Sequence, residues 1–240
     1  MERNLLSRIE EVRAVLDPAL FVNGLDDQAR YCRDWSGDYL GAPALVLRPR
    51  STAEVARVVR ACAAARLPIV PQGGHTGLVG GATPTPGGTE VIVSLERLDK
   101  VRSVDPLNYS MVVEAGCVLQ AVNDAALAAG RFFPLALGAR GSCQIGGNVA
   151  TNAGGLNVLR YGMMRDLVLG LEVVMADGQV WDGLRSLRKN NTGYDLKQLF
   201  LGSEGTLGLV TAAVLKLFPR PTQTVTAFLA VETAAAALHI

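Results

Sequence analysis

The chain has 240 residues, of which 49% are apolar and 26 are glycine, enough to bury the core of one large domain or two modest ones. Its net charge of +1, from 23 basic and 22 acidic residues, argues against nucleic acid or an anionic membrane as the main partner. No apolar run approaches the roughly 20 residues that cross a bilayer, so we predict no transmembrane segment. The four cysteines are spaced too widely for a zinc site or a disulfide scaffold, which favours reduced thiols in a cytoplasmic protein.

The sequence pattern of the first half of the chain predicts helices that alternate with short strands. Residues 1–30 are predicted as an N-terminal helical segment, because MERNLLSRIEEVRAVL has helical apolar spacing and no signal-peptide features. Ser51 followed three residues later by Glu54 indicates a capping box, which opens a helix that reaches about Ala65. The remaining elements of this half are strands over 44–47, 68–70, 91–95 and 111–114 and a helix over 118–129 that Gly130 ends.

The second half predicts antiparallel strands. Strands over 169–176 and 179–182 flank Asp177-Gly178, a pair typical of a two-residue hairpin turn. A strand over 207–217 completes this half, and the two halves together predict an α+β fold. Beyond it, a strand over 222–231 and a helical pattern over 232–240 without a stop signal predict that the chain ends inside a further element.

Three separated segments are rich in glycine and poor in large side chains: 71–81, 138–155 and 201–208. Such loops can aim consecutive backbone N–H groups at a phosphate, and the helix expected to start near Ile145 would add free N–H groups. Neither a Walker loop nor the Rossmann glycine spacing occurs. Taken alone, the first segment is explained better by a structural turn, and the second is explained equally well by tight helix packing, but three segments together indicate one elongated ligand.

These segments, with their order and spacing, resemble the FAD-linked oxidase family with the vanillyl-alcohol-oxidase (PCMH) type FAD-binding domain. Within that family the chain resembles bacterial D-2-hydroxyglutarate and D-lactate dehydrogenase-like proteins. The resemblance implies two α/β subdomains, 31–132 and 133–221, with FAD bound between them, and residues 222–240 as the start of a truncated substrate (cap) domain. The stretches that carry it are PQGGHTGLVGG (71–81), FPLALGARGSCQIGGNVATNAGG (133–155), RYGMMRDLVLGLEVVMADG (160–178) and KNNTGYDLKQLFLGSEGTLGLVT (189–211).

The resemblance also implies which residues bind FAD. The first segment would wrap the pyrophosphate, the second would lie along the flavin, and the third would face the adenosine half. The implied cofactor-binding residues are Gln72, Gly73, Gly74, His75, Thr76, Gly77, Leu78, Gly138, Ala139, Gly141, Ser142, Cys143, Gln144, Gly146, Gly147, Thr151, Asn152, Ala153, Gly154, Gly202, Glu204, Gly205 and Leu209.

Several polar residues near these segments have alternative interpretations. His75 stands where the nearest relatives commonly carry asparagine; a hydrogen-bonding role with noncovalent FAD is favoured over a covalent bond to the flavin. Cys143 is interpreted as a small packing residue rather than a nucleophile. For the group Arg160, Tyr161, Arg165 and Asp166, an internal Arg-Asp ion pair that anchors a loop is favoured over a catalytic role.

The resemblance implies a flavin-dependent dehydrogenase that oxidises a D-2-hydroxy acid, such as 2-hydroxyglutarate, lactate or a glycolate-like acid, by hydride transfer to flavin N5. Its electron acceptor would be a quinone, a cytochrome or an electron-transfer flavoprotein, and peripheral attachment to the inner membrane and a homodimer stay open. Only two histidines occur, His75 and His239, so we name no catalytic residue and no metal site. The alternatives are a stand-alone FAD-binding subunit without its own catalysis, or an oxygen-using oxidase with flavin bonded to His75.

Overall fold

A computed structural model describes residues 4–240, which form two layers, one on a three-stranded sheet and one on a five-stranded sheet, and a separate two-stranded antiparallel pair. The helices are α1 (Leu5–Val15), α2 (Leu25–Cys32), α3 (Thr52–Ala65), α4 (Leu119–Ala128), α5 (Ile145–Ala150), α6 (Val158–Tyr161), α7 (Met164–Leu167) and α8 (Ala234–Ala237). The strands are β1 (Leu45–Leu47), β2 (Ile69–Gln72), β3 (Val91–Ser94), β4 (Val101–Asp105), β5 (Ser110–Glu114), β6 (Arg131–Phe132), β7 (Val168–Val174), β8 (Val180–Gly183), β9 (Leu209–Lys216) and β10 (Phe218–Pro219). The predicted α+β class is confirmed.

The first layer is a parallel sheet in the order β1-β3-β2, covered by α3 and α1. Helix α3 starts at Thr52 because the Ser51 side chain accepts a hydrogen bond from the Glu54 N–H, as predicted. The Glu54 carboxylate accepts from the Arg50 N–H, one residue before the position that a full capping box would use. The buried face of α3, including Val55, packs in the same core as Val12 of α1.

The second layer is a five-stranded antiparallel sheet in the order β4-β5-β9-β7-β8. Strand β9 lies at its centre and is buried along nearly its whole length, because α5 covers one face and β5 and β7 flank it. Helix α4 packs near the edge, and the positive φ of 68° at Gly130 follows its end as expected.

Strands β4 and β5 belong to the second sheet, although they lie within residues 31–132, which were predicted as the first subdomain. Strand β4 pairs with β5, and β5 pairs with β9, with Val113 opposite Ala213. The two sheets therefore separate between Ser94 and Val101. The subdomain boundary at residue 132 stays a prediction. Local patterns predicted β5 correctly but carried no information on which distant strand it would pair with.

Three further local predictions differ from the structure. The predicted hairpin β7-β8 forms, but its turn contains three residues, 176–178, because Gly178 alone takes a positive φ of 77°. Residues 222–231, predicted as a strand, have no regular structure, and the helical pattern that follows forms one turn, α8. Helix α2 begins within residues 1–30, which were predicted as helical, and extends to Cys32. Strand β4 was not predicted, because its short polar sequence carries weak periodicity.

A cluster of polar side chains joins the two layers. Glu172 on β7 accepts hydrogen bonds from Thr52 on α3 at 2.7 Å and from Thr211 on β9 at 2.8 Å. Arg102 on β4 reaches Glu172 at 3.1 Å and Glu114 on β5 at 3.1 Å. Burial alone would raise the pKa of Glu172, but hydrogen bonds from Arg102, Thr52 and Thr211 outweigh it and hold the pKa below its ordinary value.

We expect Glu172→Gln to lower the free energy of unfolding by about 2 kcal/mol at pH 7, because a carboxylate that accepts several hydrogen bonds is replaced by a neutral amide. Since the native pKa of Glu172 is depressed, its stabilising effect is present above its ordinary pKa of 4.5 and is lost as the pH falls through the native value. Urea unfolding of both proteins should therefore show curves that converge in acid. Glu232→Gln, at an exposed position, is the control; an equal loss in both variants, or a difference independent of pH, would contradict this role.

Candidate functional site

A cleft with a volume of about 390 Å³ lies between the two layers. Its walls come from residues 71–82, 137–153 and 203–210, together with Leu95 and Ala115. Strand β2 runs directly into it, so the first glycine segment begins at the carboxyl end of a parallel strand, where α/β sheets commonly bind ligands. The expected convergence of the three glycine-rich segments is what the structure shows.

Most of the residues that the sequence nominated line this cleft. The lining contains Gln72, Gly73, Gly74, His75, Thr76, Gly77, Gly138, Ala139, Cys143, Gln144, Gly146, Gly147, Thr151, Ala153, Glu204, Gly205 and Leu209. Six nominated residues are absent from it: Leu78, Gly141, Ser142, Asn152, Gly154 and Gly202.

Two of the six, Asn152 and Gly202, form hydrogen bonds that hold the walls of the cleft. The Asn152 side chain accepts a hydrogen bond from the Arg165 N–H at 2.9 Å. The Gly202 N–H donates to the Val149 carbonyl at 3.2 Å, which ties the third segment to α5. Sequence proximity to a motif therefore identified residues that shape the cleft as well as residues that line it.

Some lining residues were not nominated. Leu95 follows β3 and Ala115 follows β5, and both are apolar residues whose place beside the cleft depends on the packing of the layers. The position of Leu95 at the carboxyl end of a parallel strand was the one available signal. The others are Pro71, Val79, Gly81, Ala82, Leu137, Asn148, Ala150, Ser203, Gly208 and Val210.

Gln72 and His75 hold the first glycine segment in place. The Gln72 amide nitrogen donates to the carbonyls of Tyr31 at 3.0 Å and Ala82 at 2.8 Å, and this side chain is buried. The His75 ring lies 3.4 Å from the Arg30 carbonyl through Nδ1 and 3.1 Å from the Thr83 hydroxyl through Nε2. Burial lowers the pKa of His75, so the ring is neutral near pH 7. Both ring nitrogens have protein partners.

The cleft glycines are of two kinds. A Cβ at Gly146 would lie 2.8 Å from the Ala115 Cβ, and one at Gly74 would overlap the Ser142 carbonyl oxygen. Glycine is required there because backbone segments approach closely. At Gly77, Gly138 and Gly147 a Cβ would meet no protein atom within 4 Å. Because those three line the cleft without a packing reason or a positive φ, their missing side chains leave room that a ligand can fill.

The start of α5 differs from the sequence expectation. We expected several free N–H groups near Ile145, but the Ile145 N–H donates to the Cys117 carbonyl and the Gly146 N–H to the Ala115 carbonyl. Among the backbone hydrogen bonds of residues 4–240, none uses the Gly147 N–H, which remains available at the cleft. The buried side chain of Gln144 lines the cleft with its Oε1 atom unpartnered.

The chemical character of the cleft is nearly neutral. No Lys or Arg occurs in the part of its lining that residues 4–240 supply, and Glu204 is its sole carboxylate there. Burial raises the pKa of Cys143, so its thiol stays protonated and packs beside Asn148. Over the same range, no group of three or more His, Cys, Asp or Glu residues is arranged to hold a metal ion.

Arg165 has a different role from the one predicted. Its guanidinium donates to the Gln198 side-chain oxygen at 2.7 Å and to the Leu201 carbonyl at 2.7 Å, rather than pairing with Asp166. The Asp166 carboxylate accepts from the Met163 N–H at 2.9 Å. Each residue thus anchors a loop. Among the described residues Asp166 pairs with neither Arg160 nor Arg165, so the predicted internal Arg-Asp pair is wrong, because carbonyl groups brought near by the fold bind the Arg165 guanidinium instead.

Comparison with known proteins matches the chain to a family model described as "FAD binding domain" over residues 43–183. The chain is 53% identical over 196 residues to the mitochondrial D-2-hydroxyglutarate dehydrogenase of Bos taurus, covering 82% of this chain and 36% of that protein. It is 42% identical over 207 residues to a D-2-hydroxyglutarate-pyruvate transhydrogenase of Saccharomyces cerevisiae, covering 86% of this chain and 41% of that protein. The chain therefore spans well under half the length of these relatives.

A solved structure of alkyldihydroxyacetonephosphate synthase superposes with a TM-score of 0.80 at 24% identity, covering 92% of this chain and 42% of that chain. This similarity shows the fold. Within residues 4–240, every helix is too short or too polar to traverse a lipid bilayer.

We expect Gly146→Ala and Gly147→Ala to change the free energy of unfolding in opposite directions, although the two residues are adjacent. The added methyl at position 146 would crowd Ala115 and lower the free energy of unfolding by about 1–3 kcal/mol. At position 147 it enters open space and should raise stability by up to about 1 kcal/mol, since alanine favours helix. Urea unfolding of the FAD-free proteins measures both; equal effects would refute the distinction between the two kinds of glycine.

Proposed function

The chain belongs to the family of FAD-binding domains, and we propose that its cleft holds FAD noncovalently for the oxidation of a D-2-hydroxy acid by the full-length protein. One observation carries the proposal: three glycine-rich segments, distant in the chain, form a single cleft with room that no protein atom fills. A flat ring system and a diphosphate can approach such a backbone closely.

The residues of the cleft fit FAD in several respects. Backbone N–H groups of residues 73–77 and the N–H of Gly147 would bind the diphosphate without a cationic side chain. Gly138 and Ala153 line the cleft with small residues against which the ring can lie, and the Gln144 Oε1 atom supplies an acceptor that lacks a partner in the protein. When bound, FAD would supply the acceptor for the hydride of the substrate.

The environment of His75 supports noncovalent binding. Its Nδ1 atom lies beside a carbonyl and its Nε2 atom beside a hydroxyl, so each ring nitrogen already has a hydrogen-bonding partner in the protein. A covalent bond to the flavin would require the ring to leave one of these contacts. The oxygen-using oxidase with flavin bonded to His75 is therefore the less supported alternative.

The substrate proposal rests on relatives from Bos taurus and Rattus norvegicus whose names are D-2-hydroxyglutarate dehydrogenase, and on the D-2-hydroxyglutarate-pyruvate transhydrogenase of Saccharomyces cerevisiae. Oxidation also needs a base for the hydroxyl proton and a cation for the carboxylate of the substrate. Because the described lining of the cleft lacks Lys and Arg, we propose that the cation lies in the part of the relatives that this chain does not span, and that the base lies there with it. A stand-alone FAD-binding subunit is the second candidate, since the lack of a cation in the described lining also favours it.

The electron acceptor, the oligomeric state and the location in the cell are further proposals. A quinone, a cytochrome or an electron-transfer flavoprotein would reoxidise the flavin, and a homodimer stays a prediction. The relatives from Bos taurus and Rattus norvegicus are eukaryotic and have mitochondrial in their names, so they do not support the bacterial character that we expected. The cytoplasmic location and the inner-membrane association stay predictions.

We expect Gly147→Ala to weaken FAD binding at least tenfold, because the methyl group occupies space at the cleft where the ligand must lie close to the backbone. Gly87→Ala is the matched control, since Gly87 is exposed, lies outside the cleft and would contact only the Thr85 side chain. Titration with FAD, followed by flavin fluorescence, measures the affinity.

Acid precipitation of the FAD-loaded protein should release all yellow colour into the supernatant. Colour retained by the pellet, but absent from a His75→Asn pellet, would establish a covalent bond and overturn the noncovalent proposal. If neither the 240-residue chain nor the full-length protein binds FAD, the proposed function is wrong.

We expect D-2-hydroxyglutarate to bleach the flavin absorption of the full-length protein under anaerobic conditions, and L-2-hydroxyglutarate to leave it unchanged. Only one enantiomer should bleach the flavin, because the hydrogen on the hydroxyl-bearing carbon must face the flavin for hydride transfer. D-lactate and glycolate, assayed in parallel, test the range of substrates. A full-length protein that binds FAD but is bleached by none of these acids would instead support the stand-alone subunit.

A further inference from the structure

Helix α2 contributes no residue to the described lining of the cleft, but its last turn is bound to the first glycine segment. Carbonyl groups in the last turn of a helix have no partner within that helix. The Tyr31 carbonyl accepts a hydrogen bond from the Gln72 side-chain amide at 3.0 Å. The Arg30 carbonyl lies 3.4 Å from the His75 Nδ1 atom, which carries the ring hydrogen because a carbonyl only accepts. The position of α2 therefore helps to set the positions of Gln72 and His75.

Helix α2 has little apolar packing of its own. Of its eight residues, Tyr31 is the one that is buried, in a small cluster with Val22, Val46 and Ile92. A helix of this length is not stable alone in water, because nucleation is costly and few hydrogen bonds follow it. Polar contacts with the rest of the chain therefore have a large part in deciding where α2 lies.

The Glu96 side chain supplies such contacts. It follows the end of β3 by two residues and is next to Leu95 of the cleft lining. Its Oε1 atom accepts hydrogen bonds from the Tyr31 hydroxyl at 2.8 Å and from the Arg30 guanidinium at 2.8 Å. The Arg48 guanidinium, just after β1, donates to the same oxygen at 3.2 Å. One carboxylate thus joins α2 to the ends of β1 and β3.

The bond between Tyr31 and Glu96 is the stronger of the two links to α2. Burial raises the pKa of Tyr31, and the hydrogen bond to Glu96 raises it further, so the hydroxyl group keeps its proton and donates at neutral pH. The Arg30 side chain is 60% exposed, so water and salt weaken its ion pair with Glu96. Removal of the Glu96 charge or of the Tyr31 hydroxyl should therefore loosen the same helix.

We propose, on the basis of the proposed FAD site, that Glu96 is a positioning residue: it holds α2 so that the Arg30 and Tyr31 carbonyls keep the first glycine segment in its ligand-binding conformation. Glu96 is absent from the described lining of the cleft, so it acts through α2 and not by contact with the ligand. The segment 71–81 contains five glycines, and glycine loses more conformational freedom on ordering than other residues. A segment that is already held in place before the ligand arrives binds it more tightly.

The first test is titration of the 240-residue chain with FAD, followed by flavin fluorescence. We expect Glu96→Gln to weaken FAD binding roughly tenfold and Tyr31→Phe to weaken it severalfold, because each removes a hydrogen bond that holds α2. The double variant should bind FAD about as weakly as Glu96→Gln alone, since both changes break one interaction. Glu232→Gln and Tyr194→Phe make the same chemical changes at exposed positions outside the cleft and should leave the affinity unchanged.

The second test needs no FAD and follows the titration of His75 by proton NMR. The chain contains two histidines, His75 and His239, so the His75→Asn variant assigns the signals. Burial lowers the pKa of His75 below 6.5, against smaller opposite effects of the Arg30 carbonyl and of Asp34. We expect Glu96→Gln to move this pKa upward, toward 6.5, because the ring is less buried when α2 is released. Loss of a negative charge would by itself lower the pKa, so an upward shift reports the movement of α2.

Three results would overturn the proposal: unchanged FAD affinity in Glu96→Gln, weaker FAD binding with an unchanged pKa of His75, and losses that add fully in the double variant. If Glu96→Gln does not fold, Tyr31→Phe, which keeps the buried ring, is used for both measurements. A wild-type protein that binds no FAD refutes the proposed function instead. The titration of His75 still tests the link through α2 in that case, so the two failures are distinguishable.

Discussion

The approach of α5 to the end of β5 is the contact on which the cleft depends. The Gly146 N–H donates to the Ala115 carbonyl at 2.7 Å, and the absent side chain at position 146 makes this distance attainable. Since α5 also accepts the N–H groups of Gly202 and Glu204 through Val149 and Ala150, it carries the third glycine segment with it. One short helix thereby brings the second and third segments together opposite the first.

Contacts between the two layers hold the two walls of the cleft in a fixed position relative to each other. The first segment extends from the parallel sheet, while the other two belong to the antiparallel layer. Glu172 connects Thr52 of the first layer with Arg102 and Thr211 of the second, and the core of the first layer continues into Ala115, Val174 and Leu209. Apolar burial supplies the bulk of the stabilisation, and the polar cluster defines the relative position of the layers.

The chemistry of the cleft follows from its backbone more than from its side chains. Without lysine or arginine in the described lining, an anionic ligand must be held by N–H groups, and a neutral ring can lie against glycine and alanine. A domain of this kind binds and orients a cofactor, while acid-base chemistry on a substrate requires additional groups.

The sequence alone determined the class of fold, the helices α1, α3 and α4, the hairpin β7-β8 and the three segments that meet at the cleft, because helical periodicity, caps and glycine content are local properties. Only the tertiary structure decided that β4 and β5 join β9, that Leu95 and Ala115 line the cleft, and that Arg165 binds carbonyl groups instead of Asp166. It also decided which glycines serve packing, such as Gly146, and which leave open space, such as Gly147. These outcomes depend on which distant backbone and side-chain atoms come within a few ångströms of each other, and that follows from long-range packing rather than from any local pattern.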